Sequence, residues 1–213
     1  VVRSRGLGDV YKRQIMLLSV YRYRLVPTDA QHTVLMQWMG CARWTYNAAL
    51  TESKRIYMST SKSASYQTLC KALTHWRASH DWLKAAPAQM LQQSIRNLID
   101  AYRRFFRGQN KRPTFKKKGK SRNRVRLPQQ SGSIRLEQLN GHYARLRLPK
   151  IGWIRLRYHR PAQGKIRNVT VSHDNGQWYA SVLCGQPGEH PKPPENAYVF
   201  GLGGHRYRNL LDS

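Results

Sequence analysis

From Ser19 to Val26 the chain alternates aromatic or aliphatic residues with arginines, the period of two expected of a half-buried strand. Pro27 ends the run, and Thr28-x-x-Gln31 follows with the spacing of a capping box. Val34, Leu35, Trp38 and Met39 then share one helical stripe. Gly40 is expected to break that helix, with a second running through Ala42, Tyr46, Ala49 and Leu50 to about Met58. Two short helices around a glycine predict a helix-turn-helix-like corner.

Ser59 to Ser65 reads as a polar loop, and Tyr66, Leu69, Cys70, Leu73 and Trp76 form the face of a third helix. Pro87 suits the first turn of a fourth helix, whose Leu91, Ile95, Leu98, Tyr102 and Phe105 keep a spacing of four and three until Gly108. Short strands are then expected over Ser133–Leu139, Tyr143–Leu148, Trp153–Tyr158, Lys165–Ser172 and Gln177–Leu183. Turns between them are marked by Asn140-Gly141, Pro149-x-x-Gly152 and Asn175-Gly176. Strands at this spacing predict a small β-barrel or sandwich. Gln186 to Asn196, with four prolines, reads as a linker. The first fourteen residues lack a useful periodicity and an apolar signal region; Met16 is the first plausible start, and what precedes it reads as foreign leader.

Charge changes this picture most. Thirty-eight Lys and Arg stand against ten Asp and Glu, a net charge of +28, and the pI is about 10.9. Such a surplus repels itself in a compact chain and calls for a polyanion, of which nucleic acid is the densest. A membrane is the rival, but there is no long apolar run, and mean hydropathy is −0.70. Six Trp, twelve Tyr and four Phe supply enough aromatic mass for a folded core. Cys41, Cys70 and Cys184 make no C-x-x-C pair, which argues for reduced thiols rather than disulfides or a zinc ribbon.

Two stretches carry the binding chemistry. Arg103 to Arg126 holds twelve basic residues and no acid, Arg104, Arg107, Lys111, Arg112, Lys116 and Lys117 among them. Its Lys116-Lys117-Lys118-Gly119-Lys120 block should be flexible unless bound, adding affinity without readout. In the strand pair from Tyr143 to Arg160, Leu146, Leu148, Ile154, Leu156 and Tyr158 fall on one face. Arg145, Arg147, Arg155 and Arg157 fall on the other with Tyr143 and Trp153, a surface suited to phosphates with bases stacked nearby. Lys150 lies in the intervening turn, and Lys165 and Arg167 open the next strand. For catalysis the inventory is poor: the acids are scattered, the eight histidines lack metal-ligand spacing, and Gly201-Leu202-Gly203-Gly204 lacks the context of a nucleotide site.

Several strings are more specific. Gly40-Cys-Ala-Arg43-Trp-Thr-Tyr46-Asn47 resembles an element of the TnpB/OrfB-type transposases, RNA-guided nucleases of bacterial insertion sequences, within their helix-turn-helix region. Pro87-Ala-Gln89-Met-Leu-Gln92-Gln and Ala101-Tyr102-x-x-Phe105-Phe106-Arg107 resemble the next helix of the same family. Arg112-Pro113-Thr-Phe115-Lys116, Leu148-Pro149-Lys150-Ile-Gly152-Trp153-Ile-Arg155, Gly164-Lys165-Ile-x-x-Val169-Thr-Val-Ser and Trp178-Tyr179-x-Ser181 extend the resemblance in order from about Met16 to Leu202.

The resemblance implies an α+β fold, with a helical recognition lobe inserted into a small oligonucleotide-binding-fold-like β-barrel. The division expected is a leader over 1–15, a first barrel strand over 16–27, the helical lobe over 28–110, the barrel over 111–185, and a linker with a truncated nuclease start over 186–213. It implies guide RNA and target DNA as partners, in a bacterial cytoplasm, with Arg43, Tyr66, Gln89 and Gln92 among the contacts and the last three near a target-adjacent DNA motif. The nuclease domain of such proteins is RNase H-like and takes a divalent cation such as Mg²⁺, with structural zinc further on. Here Gly201 stands where its first metal-binding aspartate is expected, so no catalytic residue, metal or cofactor is assigned and no cleavage is expected. The alternative is a stand-alone basic RNA- or DNA-binding regulator.

Overall fold

The computed structural model describes residues 15–129 and 132–188. Expectations for the leader, for the linker beyond Gly188 and for Gly201 lie outside the described residues.

Strand β1 (Ile15–Val26) sends Tyr21, Tyr23 and Leu25 inward and Arg22, Arg24 and Val26 outward, as its alternation predicts. Thr28 caps α1 (Asp29–Thr60) through the expected reciprocal box: its hydroxyl accepts from Gln31 N–H while Gln31 Oε1 accepts from Thr28 N–H. Helix α1 is one continuous element of 32 residues, so the break expected at Gly40 is not there. The buried stripe of Leu35, Trp38, Met39, Ala42, Tyr46, Ala49, Leu50 and Ser53 keeps its three-four spacing across the glycine. A single helical glycine costs about 1 kcal/mol relative to alanine, less than the burial of two leucines returns at roughly 1.5–3 kcal/mol each. The chain turns instead at Ser61, left-handed at φ 55°, and re-enters α2 (Tyr66–Ser79) behind the Ser65 cap.

A four-residue helix, α3 (Asp81–Lys84), was not expected from pattern; it is too short to show a period. Pro87 is the N-cap of α4 (Ala88–Phe106) rather than a residue of its first turn. Helix α4 buries Met90, Leu91, Ser94, Ile95 and Leu98 against α1 and α2.

Six further strands follow: β2 (Arg124–Pro128), β3 (Arg135–Gln138), β4 (Tyr143–Leu148), β5 (Gly152–Arg157), β6 (Lys165–Asp174) and β7 (Gln177–Gly188). Strand β7 runs three residues into the expected linker. Strand β2 was not expected, because the density of basic residues around it hid a short alternation of buried Val125 and Leu127 with exposed Arg124 and Arg126. The order across the seven-stranded sheet is β2-β6-β7-β1-β5-β4-β3. Asn175 and Gly176, at φ 47° and 73°, turn β6 into β7 with the positive dihedrals that match strand twist.

The sheet is not closed by pairing: β2 and β3 are its edges. They are nonetheless consecutive in sequence. Outer strands of a flat seven-stranded sheet would lie roughly 29 Å apart, whereas the link from Pro128 to Arg135 reaches at most about 25 Å. The sheet therefore curls, and the Gln129 side-chain amide bonds both ways to the Ile134 backbone, 2.8 Å each, just before β3. Helix α1 is tied to this sheet at its first turn, where Gln31 Nε2 donates to the Trp153 carbonyl at 2.8 Å and Trp178 Nε1 donates to His32 Nδ1 at 3.0 Å.

Candidate nucleic-acid interface

Pairing register decides which side chains share a face, because directly opposed residues point the same way. Arg145 stands opposite Arg155, Arg147 opposite Trp153, and Tyr143 opposite Arg157. Arg24 lies across from Arg157 on β1, and Arg135 across from Arg147 on β3. The strand pair read from sequence thus becomes a cationic surface across four strands. Arg24 and Arg135 were missed: R-Y-R alternation was visible in β1, but only strand order shows that it joins this face. Ala144, Leu146, Leu148, Ile154 and Leu156 form the buried reverse side.

The aromatic residues of this face each carry a guanidinium. Arg155 lies 3.9 Å from the Tyr143 ring centre, Arg145 4.4 Å from that of Trp153, and Arg22 4.1 Å from that of Tyr179. In each contact the guanidinium lies over one face of the ring. Arg145 is further held by Glu137, 2.8 Å away on the neighbouring strand. Arg147, Arg155 and Arg157 are exposed; among the described residues, Arg145 is the member of this face in an ion pair.

Two of the family-like strings meet each other. Asn47 Nδ2 donates to the Lys116 carbonyl at 3.0 Å, and Asn47 Oδ1 accepts from Lys116 N–H at 2.8 Å. The Lys116 ammonium lies 3.9 Å from the Tyr46 ring centre, and Lys54 4.8 Å from that of Phe115. Burial, and then the Arg124 charge, holds the Lys116 amine below its ordinary pKa. Lys116 is thus an anchored, half-buried residue and not part of a loose basic block. Lys117 and Ser121 close the rest of that block into a turn, with Gly119 at φ 78°. Lys150, left-handed at φ 68°, donates to the Lys84 carbonyl and is likewise engaged within the fold.

Tyr66 begins α2 with its ring 5.0 Å from the Arg96 guanidinium of α4. Gln89, Gln92 and Arg96 recur along α4 at helical spacing, and both glutamines are half-buried. Arg96 was missed, although it lies one turn beyond Gln92. Arg104, Arg107, Lys111 and Arg112 are exposed around the end of α4, as are Lys165 and Arg167 on β6. Arg43 is half-buried on α1 and faces α4 and β2. Among the described residues no group of three His, Cys, Asp or Glu is placed to hold a metal, the three cysteines are free, and no helix is long and apolar enough to cross a membrane.

A model of the OrfB-type helix-turn-helix domain matches residues 16–62, the span of β1 and α1. The chain is 34% identical over 187 residues to "Putative RNA-guided DNA endonuclease InsQ" of Escherichia coli, covering 87% of this chain and 44% of that protein. It is 32% identical over 169 residues to a Streptomyces pristinaespiralis protein described in the same terms, covering 77% of this chain and 40% of the relative. The chain spans less than half the length of these relatives.

Proposed function

The chain is, over most of its length, a TnpB/OrfB-type sequence, and on that premise we propose that residues 17–186 form a nucleic-acid-holding unit that grips guide RNA and target DNA without cutting either. The observation that carries the reading is the arginine face of β1, β5, β4 and β3. Arg155 and Arg157 lie two residues apart, roughly 7 Å, and Arg24 and Arg135 stand directly across from Arg157 and Arg147 at roughly 5 Å, spacings comparable to the separation of phosphates along a strand. Since Arg145 and Arg155 cap the aromatic rings beside them, this face grips backbone, and guide RNA is its ligand. Phosphate contacts fix position without reading sequence.

The curled sheet is the counterpart of an oligonucleotide-binding-fold wedge, and the helical lobe meets the target-adjacent DNA through Tyr66, Gln89 and Gln92. A glutamine can pair bidentately with adenine, discriminating by about 1–3 kcal/mol. The proposal gives this unit no metal or cofactor and places it with nucleic acid in the bacterial cytoplasm.

Titration of Arg155→Gln/Arg157→Gln against structured RNA at several salt concentrations tests the grip. Affinity should fall for every sequence alike, and the slope of log K against log[salt] should become shallower by nearly two units. An unchanged slope removes the sheet from the interface.

A further inference from the structure

A second cationic site lies away from the sheet face. Helix α1, helix α4 and residues 116–126 line a shallow, open cleft. Its cations are Arg43, Lys116, Arg122, Arg124 and Arg126, and no carboxylate lines it. A second cleft runs along α1 past His32 and Lys118, also without a carboxylate, and shares Met39, Arg43 and Asn123 with the first. The two form one trough with Arg43 at the join.

The charge pattern of this trough contrasts with the rest of the fold. Glu52, Asp81, Asp100 and Glu137 each neutralise a nearby Arg or Lys elsewhere. In the trough six Lys and Arg side chains, Lys118 included, gather without one, and the Lys116 ammonium is turned in over Tyr46. Arg43 and Lys116 are half-buried while Arg122, Arg124 and Arg126 are exposed, and cations crowded together are stabilised by a bound anion. Beside the apolar Met39, Ala42, Met90 and Val125, the lining includes Gln93, Ser94, Asn97, Ser121 and Asn123, hydrogen-bonding groups suited to phosphate and sugar oxygens.

We propose that this trough is a phosphate-binding channel for one unpaired nucleic-acid strand, with Arg43 bridging its two halves and Lys116 lining the inner one. The inference rests on the reading that the partner is nucleic acid. It is separate from the sheet face, because none of the sheet-face arginines named above lines the trough.

The test measures binding of the purified chain to a ten-residue abasic deoxyribose-phosphate strand, which offers phosphates without bases. Arg43→Gln/Arg122→Gln should weaken binding about tenfold and make the salt slope shallower by about 1.4, two contacts on a single strand. Asn123→Asp places a carboxylate in both halves with almost no change of shape. It should lose as much affinity while its thermal midpoint stays level or rises, which separates lost binding from lost folding. Arg155→Gln/Arg157→Gln should weaken the same strand through the sheet face, and its loss should add to that of the trough pair if the two sites are separate.

Wild-type affinity in both trough variants overturns the proposal, as does an equal loss against a blunt duplex of the same phosphate count. Inorganic phosphate at constant ionic strength should displace the strand from the wild type. If phosphate raises the thermal midpoint while strand binding is insensitive to the trough variants, the trough takes a free anion and the strand reading falls. Should the sheet variant keep full RNA affinity while the trough variants lose the strand, the sheet reading falls and the trough stands.

Discussion

Asn47 holds Lys116 by both backbone groups, donating to its carbonyl and accepting from its N–H across 69 positions of sequence. The side-chain amide acts as one rung of a sheet ladder between α1 and the segment that leads into β2. Tyr46 supports the same residue from beneath its ammonium. The helical lobe and the first edge strand are therefore joined at a defined register, and the trough lies beside that joint.

Replacing Asn47 with Ala should leave a part-buried N–H and carbonyl without protein partners. The expected cost is about 1–3 kcal/mol, read as a lower urea midpoint with an unchanged m-value. A change below about 0.3 kcal/mol would mean that water replaces the amide freely.

Gly40→Ala tests the continuity of α1. A Cβ at this position meets no atom within 4 Å outside the local helix, and the residue does not have a positive φ. Alanine should stabilise the chain by about 0.5–1 kcal/mol. Destabilisation would point to the helix break that the sequence suggests.

Glu137→Gln should release Arg145 for phosphate. Both partners are more than two-fifths exposed, so the pair contributes less than about 1 kcal/mol to stability. Duplex binding should strengthen, with a salt slope steeper by about 0.9 for one added contact. Weaker binding would show that Glu137 serves by orienting Arg145 rather than by occupying it.

Alkaline unfolding follows from the phenols. Tyr23, Tyr46, Tyr66 and Tyr102 are all pushed above their ordinary pKa of 10, burial being the largest cause in each. Tyr23 also donates to the Arg160 carbonyl at 2.7 Å. With folded pKa values raised, their contribution is complete below about pH 10 and is lost as pH climbs through the folded values. Lys116, held below 10.5, acts oppositely, adding stability as pH rises toward that value. The urea midpoint should therefore drop above pH 10, with tyrosinate absorbance appearing together with unfolding. Tyr23→Phe should show a shallower drop; an identical pH profile would mean that Tyr23 ionises without unfolding.

By itself the sequence determined the surplus of positive charge and most of the elements. A charge of +28 is a property of composition, and the periods of two and near four in β1, α2, α4, β4 and β5 are local. The Thr28–Gln31 box needs only four adjacent residues, so it too was legible. Tertiary structure decided what depends on distant neighbours. Gly40 stays helical because the stripe on both sides of it is buried together, a fact that no local propensity contains. Strand β2 exists because β6 supplies its ladder and the core takes Val125 and Leu127. Lys116 reads as one of several interchangeable lysines until Asn47 and Tyr46, from another part of the chain, fix it. The arginines of the sheet were visible one strand at a time, but strand order alone brings Arg24 and Arg135 alongside Arg157 and Arg147. Packing likewise gathers Arg43, Arg122 and Lys116 into one trough without an acid, since convergence of charge is a matter of distance in space.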